Sequence, residues 1–148
     1  MLLTRVRVLV ATLWAGSLWA VGYLVAPTLF ATLADRALAG TIAGSMFSSM
    51  AMLSLGCGAA MLLLLWKATA GWDAQRRKTA VLIVVAMLVC VAVSHFGLRP
   101  MMAELREAAG PDGVMESAAR GRFGMLHGIS MAIYSVQSAL AAWLIVKQ

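Results

Sequence analysis

Two histidines are the residues of this sequence best suited to bind a metal. His95 lies four residues before Arg99, and His127 lies five residues after Arg122. Both fall near a charged end of an apolar run, so the imidazoles are predicted at nearly the same depth, about 6–8 Å inside the boundary at 1.5 Å per helical residue. Imidazole binds copper, zinc and haem iron. The pair predicts either a haem or copper site or a structural hydrogen-bonding role, and neither cofactor is favoured because two ligands do not define a metal.

Methionine residues are enriched near the same predicted depth. They are Met46, Met50, Met101, Met102 and Met125. Thioethers together with imidazole suit Cu(I). Methionine is also an ordinary packing residue of apolar proteins, and the chain has 11 of them. The methionines therefore leave copper open without selecting it.

Acidic side chains show no arrangement that is typical of an enzyme. Glu104, Glu107, Asp112 and Glu116 all lie in one polar connection, where charge is expected in any case. Arg106 is expected on a solvated face with the first two. No P-loop, GxSxG, HExxH or dinucleotide fingerprint occurs. We therefore expect a protein that is not an enzyme.

Four apolar runs organise the chain. They are Val8–Leu33, Ile42–Trp66, Thr79–Leu98 and Phe123–Val146, and none has a charged residue in its interior. About 20 apolar residues suffice for a helix to cross a bilayer. The composition agrees, with 62% hydrophobic residues, 12% charged residues and a mean hydropathy of +0.88. The sequence predicts an all-α integral membrane four-helix bundle, with residues 1–148 as a single transmembrane domain.

Charge is distributed unequally between the two ends of this bundle. The end with both termini and the second connection carries the basic residues Arg5, Arg7, Lys67, Arg76, Arg77, Lys78 and Lys147 against one acid, Asp73. The first and third connections are balanced. Basic residues favour the cytoplasmic side, so both termini are predicted to be cytoplasmic. Trp66, Trp72 and Trp143 fall at the same helix ends, where indole favours the headgroup level. This pattern explains the net charge of +6 without nucleic acid.

Two prolines mark the other ends of the first and third runs. Pro27 predicts a kinked helical turn that continues towards Leu33, and Arg99-Pro100 predicts the exit from the third helix. A break is predicted at Gly110, Pro111 and Gly113. The third connection is therefore expected to form a short amphipathic segment, as two short helices at the membrane surface.

Small residues follow one face of two of the predicted helices. On the second run they are Gly40, Gly44, Ser48, Gly56 and Ala60, and on the fourth they are Gly124, Gly128, Ala132, Ser135, Ala139 and Ala142. Small side chains let helices approach closely in lipid, and each stripe contains a GxxxG. We expect these faces to pack within the bundle, and the alternative is a dimer interface.

Several motifs occur together in this order. They are Leu13–Trp19, the APTLF of Ala26–Phe30, the AGxxxG that begins at Ala39 and runs towards Phe47, Arg99-Pro100, and Phe123–Gly128. With them the chain resembles the bacterial domain-of-unknown-function 4149 family, related to the transmembrane protein 205 type. The resemblance implies a four-span inner-membrane protein without an established activity. A looser similarity links it to copper-resistance D-like and haem-associated membrane proteins.

The predicted topology gathers several of these residues in the outer half of the bundle. The candidate outer-pocket residues are Pro27, Phe30, Phe47, His95, Arg99, Phe123 and His127. We interpret the protein as a binding or accessory bundle whose pocket takes a lipid, a quinone-like apolar ligand or a partner helix. One alternative is a haem- or copper-binding protein ligated by His95 and His127. The other is a channel or exporter formed by a homo-oligomer.

Overall fold

Four long helices form the chain in a computed structural model that describes residues 2–67, 72–110 and 113–148. They are α1 (Leu2–Thr32), α2 (Arg36–Lys67), α3 (Ala74–Ala108) and α4 (Arg120–Val146). Each is long and apolar enough to cross a membrane. The described residues contain no strand. The predicted all-α four-helix membrane bundle is confirmed.

Helices that follow one another in the chain are neighbours in space. α1 packs against α2 and α4, and α3 packs against the same two helices. Both termini lie at one end, which we call the termini end. The Arg7 guanidinium near the start of α1 stacks on the Trp72 ring just before α3, and the Arg76 guanidinium at the start of α3 donates a hydrogen bond to the backbone oxygen of Lys147 at 3.1 Å. The opposite end, where α1 joins α2 and α3 joins α4, is called the far end.

The tightest packing lies in the half of the bundle nearer the termini. Its fully buried apolar side chains are Trp14, Leu18, Met61, Leu65, Val84, Met87 and Leu144. By contrast, residues 20–32 of α1 and 93–108 of α3 include no buried residue. Since interiors are close-packed, burial along a helix marks where its neighbours approach it. The far-end parts of α1 and α3 therefore keep accessible surface.

Each of these two helices contains a stretch of π-helix before its proline. The stretches are Ala20–Val25 and Val93–Leu98, and Pro27 and Pro100 are the second residues of the α-helical stretches that follow. A proline lacks an N–H and its ring clashes with the carbonyl four residues earlier. A wider turn ahead of the proline displaces that carbonyl, so the helix continues. The helical continuation predicted after Pro27 is confirmed, whereas the predicted exit from the third helix at Arg99-Pro100 is wrong.

The amphipathic segment between the third and fourth spans is present, but it is not a separate helix. Arg99–Ala108 continues α3. The helix stops near Gly110 and Gly113, whose φ angles of +72° and +82° are readily adopted by glycine alone. Of the residues described between this break and α4, Val114–Glu116 form a 3₁₀ turn and no further helix occurs. The expectation of two short surface helices is therefore wrong. Pro111 of the predicted break and the acidic Asp112 lie outside the described residues.

Candidate functional site at the far end

Arg99 begins the last α-helical stretch of α3, directly after the π-helical turn. One of its guanidinium nitrogens donates a hydrogen bond to the hydroxyl oxygen of Ser48 on α2. The other terminal nitrogen lies 3.8 Å from the position that a β-carbon on Gly44 would take. The predicted site residue Arg99 thus reaches across to α2, onto the face that carries Ser48 and Gly44.

Arg106 lies two helical turns further along α3 and reaches the same face of α2. Its terminal nitrogens lie 3.8 Å from the β-carbon position of Gly40 and 4.0 Å from that of Gly44. Its guanidinium carbon also lies 5.1 Å from the centre of the Phe123 ring on α4, which is a cation–π contact. Arg106 therefore connects α2 and α4, rather than belonging only to a solvated face as the sequence predicted.

The glycines of α2 make room for these two arginines. A side chain larger than a methyl group at Gly40 or Gly44 would occupy the space that the guanidinium groups fill, and the Phe30 ring also comes within 4.0 Å of the Gly40 β-carbon position. The first part of the small-residue stripe of α2 thus faces arginine and phenylalanine side chains. We call the five residues Gly40, Gly44, Ser48, Arg99 and Arg106 the arginine face.

The two histidines contact aromatic rings. His95 lies in the π-helical turn of α3, half-buried, with its ring 4.8 Å from that of Phe96 at a steep angle. His127 is exposed and stacks on Phe123 at 6.3 Å, which places it beside the arginine face. In the described part of the chain, neither ring makes a hydrogen bond and no group of three metal-binding side chains occurs. Ligation of haem or copper by this pair stays a prediction.

Tyr134 of α4 is a residue that the sequence did not single out. Its hydroxyl donates a 2.6 Å hydrogen bond to the backbone oxygen of Leu18, and it lies 2.8 Å from the position that a β-carbon on Gly22 would take. Leu18 and Gly22 are four residues apart, the spacing of an ordinary helical hydrogen bond. The tyrosine hydroxyl therefore donates to a carbonyl that the N–H of Gly22 would reach in an α-helix, at the π-helical turn of α1.

An aromatic cluster surrounds this tyrosine. The Tyr134 ring contacts Phe47 of α2 at 5.5 Å and Tyr23 of α1 at 6.0 Å, both edge to face. Phe47, a predicted outer-pocket residue, thus belongs to this cluster. Since Gly44 lies less than one turn before Phe47 on α2, the aromatic cluster adjoins the arginine face along that helix.

Two other groups of predicted residues lie apart from this site. Pro27 is exposed on α1. Gly124, Gly128 and Ala132 on α4 are exposed as well, and nothing lies within 4 Å of a β-carbon placed on either glycine. In the described part of the chain these three residues lie on an exposed side of α4. Packing against a second copy or a partner, and the channel that such an oligomer would form, stay predictions.

The termini end carries a different arrangement, which the sequence did not predict. The Trp72 ring stacks with two guanidinium groups, those of Arg7 at 4.1 Å and Arg76 at 4.5 Å. Two surface depressions of about 410 and 390 Å³ also lie at this end. One is lined by Asp73, Gln75, Arg76, Thr79, Val146 and Lys147, and the other by Thr4, Arg5, Val8 and Leu9. The far-end residues line neither, so these depressions give no support to an enclosed outer pocket.

A family model described as Domain of unknown function (DUF4149) matches residues 9–111. That range is more than two thirds of the chain. The chain belongs to this family. The DUF4149 match includes α1 from residue 9 onward and the whole of α2 and α3, and it contains the whole arginine face. It ends before α4, so Phe123 and His127 lie beyond it.

No curated protein and no solved structure matches this DUF4149 chain. The relation to the transmembrane protein 205 type, stated above as a resemblance, stays a prediction. The family match therefore supports a shared membrane architecture and leaves the activity to be inferred from the site.

Proposed function

We propose that this DUF4149 protein is a small binding or accessory bundle that holds an amphipathic lipid at its far end. The observation that carries the proposal is the lack of buried residues in 20–32 of α1 and 93–108 of α3. The same helices bury several side chains nearer the termini. Accessible surface at one end of helices that pack tightly at the other end is a suitable place for a small molecule to bind between the helices of a bundle.

The chemistry of the opened surface fits a molecule with an apolar tail and a polar head. Tyr23, Phe30 and Phe96 expose 51%, 39% and 64% of their surface there. Arg106 stacks on Phe123 in the same half of the bundle, so a cation and an apolar ring meet on one surface. A charged side chain within or close to the hydrocarbon is costly and therefore indicates a functional site by default. An amphipathic lipid satisfies both parts of this surface.

We further infer that both termini are cytoplasmic and that the far end faces outward from an inner membrane. The support is the count of charges, since the termini end has seven basic residues against one acidic residue, and the far end has five of each. An excess of lysine and arginine favours the cytoplasmic side. The proposed lipid site then lies in the outer leaflet.

The test is native mass spectrometry of the delipidated protein in a neutral detergent, with phospholipid, quinone and a free transmembrane peptide offered in turn. We expect a saturable phospholipid adduct that Phe123→Ala weakens. Trp66→Ala is the matched control because it removes an aromatic ring, 69% exposed, at the termini end. Preferential binding of quinone or of the peptide would identify that class of molecule, instead of lipid, as the ligand. A wild-type protein that binds none of them would overturn the proposal.

A visible spectrum and elemental analysis of the same sample test the redox alternative. A Soret band or stoichiometric copper that disappears in the His95→Ala, His127→Ala double variant would establish a cofactor protein instead. Loss of lipid binding in that variant without any metal or colour would assign the histidines to the lipid site, which the stacking of His127 on Phe123 supports.

A further inference from the structure

The last stretch of α3 separates its basic and acidic side chains onto different faces. Arg99 and Arg106 are seven residues apart, which places them within about 20° of each other around a helix with 3.6 residues per turn. On the same basis Glu107 lies about 80° and Glu104 about 140° round from Arg99. The helix therefore turns both guanidinium groups towards α2 and directs the two glutamates elsewhere.

The two guanidinium groups converge on one point of α2. A terminal nitrogen of Arg99 lies 3.8 Å, and one of Arg106 lies 4.0 Å, from the same β-carbon position at Gly44. The two nitrogens are therefore separated by at most the sum of these distances, about 8 Å. Like charges this close repel each other, and the repulsion is only partly screened near a membrane.

No carboxylate among the described residues compensates this pair. Neither Arg99 nor Arg106 forms an ion pair with a described residue, and their polar and aromatic contacts with described residues are those given above. The carboxylate of Asp35, at the start of α2, accepts hydrogen bonds from the backbone N–H groups of Ala37 at 2.8 Å and Leu38 at 3.0 Å. That carboxylate caps its helix. Two converging cations without an anion among the described residues form a site for an external anion.

We propose that Arg99 and Arg106 form an anion clamp that binds a phosphate group at the far end. A guanidinium presents its donors in a planar fork that matches phosphate oxygens. Ser48 accepts a hydrogen bond from Arg99 and so positions that side chain, while the rings of Phe30 and Phe123 border Arg106. Gly40 and Gly44 keep the space over α2 free for the two side chains and their ligand.

This clamp rests on the proposed lipid site and specifies its headgroup. The shared chemistry is a phosphate that carries net negative charge, either in an anionic phospholipid or as free phosphate. A zwitterionic headgroup brings its own cation into a site that already has two. The clamp therefore favours phosphatidylglycerol over phosphatidylcholine.

The experiment compares these probes on the delipidated full chain by native mass spectrometry in neutral detergent. Phosphatidylglycerol, phosphatidylcholine and inorganic phosphate are titrated separately. The test variant is Arg99→Gln, Arg106→Gln. The matched control is Arg36→Gln, Arg120→Gln, which removes the same charge from exposed residues of the same end. Circular dichroism and size-exclusion chromatography establish that both variants are folded.

We expect the test variant to bind phosphatidylglycerol about tenfold or more weakly, the loss typical for hydrogen bonds to a charged group. The control should bind like the wild type. Gly44→Leu keeps every charge and fills the space between the arginines, so it should reproduce the loss. Gly44→Ala should not, because its β-carbon would be at ordinary contact distance from both guanidinium groups, 3.8 and 4.0 Å.

The outcomes separate this inference from the proposed function. Competition by inorganic phosphate would support the clamp and identify a soluble anion as its ligand. If inorganic phosphate does not displace phosphatidylglycerol, and the test variant no longer binds phosphatidylglycerol, the phosphate group in the clamp belongs to a lipid. Equal binding of both phospholipids by the wild type and the test variant would overturn the clamp and leave the lipid site standing. Absence of any lipid adduct on the wild type would overturn the proposed function itself.

Discussion

Replacing Gly22 by alanine tests how α4 holds the π-helical turn of α1. A β-carbon at this position would lie 2.7 Å from the Cζ atom of Tyr134 and 2.8 Å from its hydroxyl oxygen. Both distances are shorter than real β-carbon contacts, and the obstacle is a rigid ring. The ring must therefore move away, and its hydrogen bond to the Leu18 backbone oxygen is lost.

The expected loss of stability follows from three contributions. Overpacking costs about 1–3 kcal/mol. Loss of the interhelical hydrogen bond from Tyr134 costs about 0.5–1.5 kcal/mol. Alanine regains about 0.5–1 kcal/mol through its better helix propensity. We expect Gly22→Ala to lower the free energy of unfolding by about 0.5–4 kcal/mol, and Tyr134→Phe, which removes only the hydrogen bond, by about 0.5–1.5 kcal/mol.

Unfolding in detergent micelles titrated with sodium dodecyl sulfate measures these differences, with the fluorescence of buried Trp14 as one signal. Gly16→Ala is the matched control, because nothing lies within 4 Å of a β-carbon there. In a Tyr134→Ala background the Gly22→Ala change should become nearly neutral. A Gly22→Ala protein as stable as the Gly16→Ala protein, or equal losses in both backgrounds, would refute the reasoning.

Three further predictions concern other parts of the bundle. Gly58→Ala should lower the free energy of unfolding by about 1–2 kcal/mol in the same assay, because its β-carbon would lie 2.9 Å from Cγ of Leu88 on α3. Gly56→Ala is the control and should leave stability unchanged, since nothing lies within 4 Å of a β-carbon there; an equal effect of both changes would contradict this packing. Trp72→Leu should lower the free energy of unfolding by about 1–3 kcal/mol, because the contacts of the Arg7 and Arg76 guanidinium groups with the indole ring are lost. Trp72→Phe keeps an aromatic ring and should lower it less; equal losses would argue against cation–π contacts. Reporter fusions should place the C-terminus in the cytoplasm and the α3–α4 connection outside, and the reverse pattern would reject the inferred orientation.

The four spans could be predicted because hydrophobicity and length decide them locally. The course of α1 and α3 beyond their prolines could be predicted only in part. Pro27 and Pro100 signal a disturbed helix, but whether the helix ends or widens depends on contacts from elsewhere in the chain. In α1 that contact is the Tyr134 hydroxyl, 116 residues away from Leu18 in sequence. No local pattern contains this information.

For a related reason, the sequence indicated one arginine of the candidate site but not the other. Arg99 stood out because it follows an apolar run and lies one turn from His95. Arg106 was assigned to a solvated face because Glu104 and Glu107 are close in sequence, although a helical wheel already separates it from them and aligns it with Arg99. A helical-wheel projection of residues 99–108 is the sequence feature that would have identified the arginine pair.

The sequence also does not show whether a given face of a helix points into the bundle or outward. Periodicity shows that Gly124, Gly128 and Ala132 share one side of α4, yet it does not say whether that side points inward. In the structure the inward side carries Leu126 and Leu144 instead. On α2 the first two glycines of the stripe, Gly40 and Gly44, do face another helix, but they meet arginine side chains, which no small-residue pattern predicts.

Photo-crosslinking in a bilayer tests whether a lipid binds at the far end. The probe is phosphatidylglycerol with a diazirine near the top of its acyl chain, and the adducts are mapped by peptide mass spectrometry. We expect saturable adducts on the peptides that contain Phe30, Phe47 and Phe123, competed by unlabelled phosphatidylglycerol. Adducts spread evenly over all four helices, or concentrated near Trp66 and Val146 at the termini end, would contradict this expectation.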